Sequence, residues 1–256
     1  MVRMIDPSVL NGVRNGVCAV GYLTVPLVDY VKYHELPGMF KVVGTGFLVR
    51  DTTVITNGHV IDDLRTEQRK EHIPDAQLFL SFVVPSRNGP LGITVRLIRQ
   101  TGFTRNGRID VGFIEFEIVH PAHFQDIVPL AIEEAFGLEV SEHVGAFGYP
   151  HGSTLSEKDG RLRFGPVLQQ GWVSGVSPYE GSGSVDEILL DVRADEGMSG
   201  SPIFRISTGS VAGILHSGVR AKTSDERFGT TTAFGQPLDR ITLSKWLAAY
   251  DLERGF

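Results

Sequence analysis

Short apolar runs separated by turn residues form the main pattern of this chain. In the run at 110–118, Ile114, Phe116 and Ile118 alternate with Glu115 and Glu117, which is the period of a half-buried strand. Similar runs of five to nine residues, bounded by Gly, Pro, Asn or Asp, cover 42–49, 77–84, 93–98, 143–147, 187–192, 201–206 and 210–215. Many short strands with this punctuation predict an all-β sandwich or barrel.

The end of the chain has a different period. Leu243, Trp246, Leu247 and Tyr250 fall at i, i+3, i+4 and i+7, which predicts an amphipathic helix over about residues 239–252. Loops rich in turn residues are expected at 85–90, 101–108, 151–162, 178–184 and 220–229. Several of these loops should lie at the edge of a functional cleft.

Length and cysteine content limit the possible classes of protein. The 256 residues, of which 41% are hydrophobic, can fill a substantial core and fold without help. The single cysteine, Cys18, excludes an intramolecular disulfide framework and is compatible with a reducing compartment. Cys18 is therefore expected to be a small buried hydrophobic residue.

Charge and hydropathy point away from membranes and nucleic acids. The N-terminus lacks a continuous apolar segment of the signal-peptide kind, and no stretch approaches the roughly 18 apolar residues that a membrane span needs. The net charge is −6, and the short basic stretch at 65–70 resembles a solvated helix face. We expect a cytoplasmic protein with no nucleic-acid or membrane partner.

Three separate segments carry candidate catalytic chemistry. Residues 195–202 (DEGMSGSP) place a Gly-x-Ser-Gly motif at the start of a short apolar strand, which makes Ser199 a candidate nucleophile. Taken alone, the same run is equally typical of a plain hairpin turn. His59 follows a predicted hairpin, and Asp110 lies at the mouth of a predicted strand. A serine hydroxyl needs a nearby base with a pKa near neutrality, and a carboxylate can fix the tautomer of that histidine.

The order histidine, aspartate, serine is the chain order of the chymotrypsin triad. The chain resembles the chymotrypsin-like serine proteases and is closest in motif to the HtrA/Deg protease domains, which carry TNAHV, DIAV and GNSGG. The corresponding segments here are TNGHV at 56–60, DVGF at 110–113 and GMSGS at 197–201. The match continues through GYP at 148–150, GWVSGV at 171–176 and VAGI at 211–214, so the resemblance covers roughly residues 40 to 250.

This resemblance implies a fold of two six-stranded antiparallel β-barrels of the chymotrypsin type with a C-terminal α-helix. The whole chain, 1–256, would be a single trypsin-like peptidase domain. Its N-terminal barrel would span about 15–125, its C-terminal barrel about 138–238, and the helix would pack on the second barrel. His59 and Asp110 would then come from the first barrel and Ser199 from the second, with the active site in the cleft between them.

The resemblance also implies a function, a serine endopeptidase that hydrolyses a protein or peptide substrate through an acyl-enzyme. The backbone amides of Gly197 and Ser199 would form the oxyanion hole, and no cofactor or metal is expected. His120 and His123 have a spacing that can bind metal, but they have no arranged partners and are expected to lie in a surface loop. Two alternatives remain, an esterase-like hydrolase and a peptide-binding module or latent protease whose oxyanion loop needs a partner.

The chain departs from the family pattern around the nucleophile. Met198 replaces the usual Asn or Asp, and Ser201 replaces a glycine. Met198 cannot form the ion pair with a newly cut N-terminus that orders this loop in the digestive relatives, so activity should not require N-terminal cleavage. No PDZ-like segment follows the domain in this sequence, and the resemblance does not extend to HtrA-style assembly and allosteric control.

Substrate choice is less well defined by the motifs. The resemblance places Arg193 and Ala194 near the base of the primary specificity pocket and His216, Ser217 and Gly218 along its wall. A cationic pocket would favour Glu, Asp or Gln before the scissile bond, whereas an outward-facing Arg193 would leave room for a small apolar residue. A protease inside a cell also needs restraint, so narrow specificity or a regulatory protein partner is expected.

Overall fold

The structure is a computed structural model. It describes residues 6–26, 40–86, 89–106, 109–117, 127–150, 157–158, 161–162, 165–178, 185–220 and 231–253. The predicted loops at 151–162, 178–184 and 220–229 lie largely outside these residues, as do His120 and His123.

The first half of the chain forms a closed barrel with the strand order β1-β2-β3-β6-β5-β4. Its strands are β1 (Val17–Leu23), β2 (Phe40–Arg50), β3 (Thr53–Thr56), β4 (Leu78–Ser86), β5 (Gly89–Asn106) and β6 (Ile109–Phe116). All neighbouring strands are antiparallel. The prediction of a loop at 101–108 is wrong for most of its length, because β5 stays paired with β6 as far as the pair Asn106 and Ile109.

The second half forms another closed barrel, with the order β10-β11-β14-β13-β12-β7. Its strands are β7 (His143–Gly148), β10 (Val167–Ser177), β11 (Glu187–Leu190), β12 (Pro202–Arg205), β13 (Val211–Arg220) and β14 (Thr231–Pro237). The short strands β8 (Glu157–Lys158) and β9 (Arg161–Leu162) form a separate pair. The predicted fold, two six-stranded antiparallel barrels, is confirmed.

Three α-helices accompany the barrels in the described part of the chain: α1 (Pro7–Gly16), α2 (Gly58–Lys70) and α3 (Arg240–Glu253). Helix α1 was not predicted, although its start is signalled by Pro7 and by Asp6, whose carboxylate accepts the Ser8 amide at 2.8 Å. Helix α2 begins immediately before His59 and is 13 residues long.

The C-terminal helix α3 is present as predicted, but its packing differs from the prediction. Tyr250 stacks on Phe113 of the first barrel with ring centroids 5.0 Å apart, and Asp251 forms an ion pair with Arg50 of β2 at 2.7 Å. Trp246 and Leu243 belong to a core cluster that also contains Phe204 and other residues of the second barrel. The helix therefore joins the two barrels rather than covering the second one alone.

Candidate active site

The start of helix α2 brings His59 and Asp110 together. The Nδ1 atom of His59 lies 2.5 Å from Oδ2 of Asp110, and the His59 backbone amide donates to Oδ1 at 3.1 Å. The helix has no capping bond from the side chain of Asn57 at its N-cap, so the Asp110 carboxylate accepts one of its free N–H groups instead. The carboxylate thus fixes both the imidazole and the first turn of the helix that carries it.

The backbone of Asp110 is held from two sides. Its carbonyl accepts Nδ2 of Asn57 at 3.0 Å, and its amide donates to Oε1 of Gln236 at 3.2 Å. Gln236 lies on β14 of the second barrel and is only 8% exposed. The position of Asp110 therefore depends on contact between the barrels.

Ser199 lies on a tight turn that enters strand β12. Gly197 and Gly200 flank this turn with φ values of +91° and +89°, a region that residues with a Cβ resist. A Cβ on Gly200 would lie 1.9 Å from the carbonyl oxygen of Thr45, so this turn also passes very close to the first barrel. Backbone conformation thus requires glycine at both positions, and at Gly200 space requires it as well.

Hydrogen bonds fix the carbonyl groups of this turn. The Ser199 carbonyl accepts the Thr45 amide at 2.9 Å, and the Met198 carbonyl accepts the Ser201 hydroxyl at 2.6 Å. Within the described residues, no acceptor is found for the N–H groups of Gly197 and Ser199. Two backbone donors are therefore available beside the serine.

His59, Gly197 and Ser199 line one cleft of about 750 Å³. The Ser199 hydroxyl donates to the backbone carbonyl of His216 at 3.3 Å, rather than to the imidazole. Further residues of the cleft wall are Tyr22, Lys41, Val42, Val43, Asp63, Thr66, Glu67 and Glu196. Among the described residues, the wall therefore carries three carboxylates and one ammonium group.

Two of the predicted pocket residues immediately precede this turn. Arg193 is exposed over 62% of its side chain, and its Nε lies 2.7 Å from Oδ2 of the buried Asp195. Ala194 is partly buried against the core of the second barrel. The guanidinium of Arg193 is thus already paired with a carboxylate.

The other predicted pocket residues, His216, Ser217 and Gly218, lie on β13. The pairing of β13 with β14 shifts register between Leu215 and Ser217, so His216 lies in a bulge. Its Nε2 lies 3.6 Å from Oε1 of Glu187 on β11. Burial lowers the pKa of His216 below its usual value, and the Glu187 and Asp110 carboxylates only partly offset this effect.

Sequence reasoning missed two residues that hold the site. Thr45, which is fully buried, bonds to the Ser199 turn, and Gln236 bonds to Asp110. Each acts across the contact between barrels, which local patterns do not reveal. In the described residues there is no group of three or more His, Cys, Asp or Glu side chains that could hold a metal ion, and no helix there is long and apolar enough to cross a membrane.

The double barrel, with a histidine-aspartate pair and a serine turn on one cleft, defines the trypsin-like class of folds. A family model of the trypsin-like peptidase domain matches residues 44–214, more than half of the chain. The chain therefore belongs to the trypsin-like peptidase family. The matched segment contains His59, Asp110 and Ser199.

Solved structures of proteases show the same fold. The crystal structure of Deg5 superposes with a TM-score of 0.54 at 18% identity, covering 92% of this chain and 89% of that one. The HtrA-type protease AlgW with a decapeptide superposes with a TM-score of 0.59 at 16% identity, covering 97% of this chain and 67% of that one. No curated protein matches the sequence. The predicted resemblance to HtrA/Deg protease domains is confirmed at the level of fold.

Proposed function

We propose that this protein is a serine endopeptidase that hydrolyses peptide bonds through an acyl-enzyme. Ser199 is the nucleophile, His59 the general base and Asp110 the orienting carboxylate. The observation that carries the proposal is the 2.5 Å contact between His59 Nδ1 and Asp110 Oδ2. This contact leaves Nε2 of His59 to serve the cleft that Ser199 also lines.

The reaction follows from these positions. Ser199 Oγ attacks the substrate carbonyl carbon while His59 Nε2 takes the hydroxyl proton, and the C–N bond then breaks as His59 returns that proton to the leaving amine. Water repeats the sequence on the ester and releases the acid and free Ser199. Asp110 stays ionised throughout and stabilises the imidazolium.

The oxyanion of each tetrahedral intermediate would be bound by the amides of Gly197 and Ser199. Both N–H groups lack an acceptor within the described residues, while the carbonyls around them are already engaged. Donors fixed before the reaction cost no reorganisation when charge develops, and each contributes about 3 kcal/mol to the transition state. This arrangement supports catalysis over simple peptide binding.

One observation favours a second candidate, a latent protease or peptide-binding module. The Ser199 hydroxyl donates to the His216 carbonyl at 3.3 Å, so it must rotate away from this carbonyl before it can donate to His59. In this alternative, only a substrate or a regulatory protein partner would favour the rotated state. An esterase-like hydrolase would use the same residues.

The walls of the cleft suggest which substrates fit. Pairing with Asp195 makes Arg193 less available to an acidic side chain, which favours a small apolar residue before the scissile bond. Among the described residues of the cleft, three carboxylates (Asp63, Glu67 and Glu196) outnumber the one ammonium group of Lys41. This balance favours a basic residue elsewhere near the scissile bond. His216, Ser217 and Gly218 remain proposed contacts of the substrate.

A fluorophosphonate probe tests the nucleophile and base directly. We expect the wild type to be labelled, with the adduct located on Ser199 by peptide mass spectrometry, and Ser199→Ala and His59→Ala to remain unlabelled while folded. Absence of labelling in folded wild type would favour the latent or binding alternative. Labelling that persists in Ser199→Ala would rule out this nucleophile.

A further inference from the structure

We propose that Thr45 is a positioning residue for the oxyanion hole. The Thr45 hydroxyl, on the first barrel, fixes the peptide group between the two oxyanion donors. The inference rests on the proposed function for its catalytic meaning, but its structural claim can be tested separately.

The peptide group that joins Gly197 to Met198 is tied at both ends. Its carbonyl accepts the Thr45 hydroxyl at 2.7 Å, and its N–H donates to the Asp195 carbonyl at 3.0 Å. This peptide links the two neighbouring peptides that carry the Gly197 and Ser199 amides, so its displacement would move the two donors relative to each other. The Thr45 bond comes from the opposite barrel, 152 residues away in sequence.

Thr45 is itself held in one orientation. Thr45 is fully buried, and its backbone carbonyl accepts the Thr56 hydroxyl at 2.6 Å. Its side-chain hydroxyl oxygen accepts the Tyr149 amide at 2.9 Å. Because an incoming N–H occupies the oxygen, the hydroxyl proton is directed to the Gly197 carbonyl. The Thr45 amide also donates to the Ser199 carbonyl at 2.9 Å, so one residue holds the turn at two points.

The second barrel holds the same turn from its other side. Met198 is 1% exposed and packs in the core of the second barrel. If the Gly197–Met198 peptide flipped, the buried Thr45 hydroxyl and the Gly197 carbonyl would both lose their partner, which is unfavourable in a buried site. Thr45 and Met198 together therefore keep the turn ordered without an ion pair at position 198.

The test compares Thr45→Val, which keeps the shape but removes the hydroxyl, with Thr45→Ser, which keeps the hydroxyl. Thr53→Val is the matched control, because Thr53 is also fully buried on the first barrel and its hydroxyl bonds to Arg50 and Glu115, away from the turn. The first readout is the kinetics of fluorophosphonate labelling. We expect Thr45→Val to lower the maximal labelling rate about 10- to 100-fold with half-saturation changed by less than about threefold. Thr45→Ser and Thr53→Val should stay within about threefold of wild type.

Hydrogen exchange of the turn gives a readout that does not need activity. In Thr45→Val, the hydrogen-bonded amides of Met198, Gly200 and Ser201 should exchange at least about tenfold faster than in wild type or Thr53→Val. Should Thr45→Val not fold, Thr45→Ala is measured in the same way. A Thr45→Val labelling rate and exchange equal to those of wild type, or equal changes in Thr53→Val, would overturn the proposal. Unlabelled wild type with the expected exchange pattern would instead overturn the proposed function alone.

Discussion

At the scale of single residues, the site depends on residues whose type is fixed by the local backbone conformation and by the space around them. Gly200 has a positive φ, and its Cα lies so close to the Thr45 carbonyl that a Cβ would not fit. The carboxylate of Asp110 accepts the His59 amide in the first turn of α2. The three candidate catalytic residues could be predicted from sequence because each lies in a short motif. Thr45 and Gln236 could not, since their partners are distant in the chain.

Gly200→Ala should destabilise the fold and abolish labelling. The new Cβ would meet backbone at 1.9 Å and impose a strained φ, so we expect a loss of at least about 2 kcal/mol in unfolding free energy. Gly12→Ala is the control, because a Cβ at Gly12 in α1 meets nothing within 4 Å. It should leave stability unchanged or raise it by up to about 1 kcal/mol, as measured by urea denaturation. Equal stability of the two variants would contradict the described turn.

The lowered pKa of His216 should make the stability of the fold depend on pH. Its pKa is lowered in the folded state by burial, so the unfolded chain binds the proton more tightly. The contribution to stability is complete above about pH 6.5, the usual pKa of histidine, and is lost as the pH falls through the lowered folded pKa. Urea denaturation at pH 8 and pH 5 should show a smaller pH-dependent loss for His216→Asn than for wild type. Parallel profiles would show that His216 does not carry this dependence.

At the scale of elements, alternation and turn residues predicted most of the barrel strands, but β1, β10 and β14 lie outside the predicted runs. These patterns also failed where a hairpin is polar, since β5 continues to Asn106 through a segment that resembles a loop. Helix α1 was missed because it is only ten residues long and its apolar positions are few. The bulge at His216 could not be predicted either, because register depends on the partner strand β14.

The start of helix α3 provides a test at this scale. Asp239 accepts the Thr242 amide at 2.7 Å and the Phe136 amide at 3.2 Å. Although burial acts to raise the pKa of Asp239, these hydrogen bonds lower it below its usual value. Asp239→Ala should cost about 1 kcal/mol in unfolding free energy, and Asp239→Asn, which keeps an acceptor, should cost less. An Asn variant as unstable as the Ala variant would argue against capping.

At the scale of the whole molecule, the site exists only when both barrels are in contact. Gln236 of the second barrel holds Asp110 of the first, and Thr45 of the first holds the Ser199 turn of the second. The order of the motifs predicted that the barrels share the site. It did not predict that helix α3 joins them, because an apolar stripe does not identify the surface it covers.

Tyr250 tests that connection. Its ring is 3% exposed, stacks on Phe113 and lies where a Cβ on Gly102 would meet it at 2.6 Å. Tyr250→Ala should lower the unfolding free energy by about 3 kcal/mol, because it leaves a cavity between the helix and the first barrel. Leu252→Ala, at a side chain that is 76% exposed, should change it by less than about 0.5 kcal/mol. Similar losses in both variants would contradict this packing.

The most direct test of the central claim is the appearance of new peptide termini. Unfolded protein substrates are incubated with wild type and with Ser199→Ala, and the termini are read by mass spectrometry. We expect internal cleavage by wild type alone, with small apolar residues enriched before the cut, as the pairing of Arg193 with Asp195 favours. Folded wild type that produces no termini beyond those of Ser199→Ala would contradict the account.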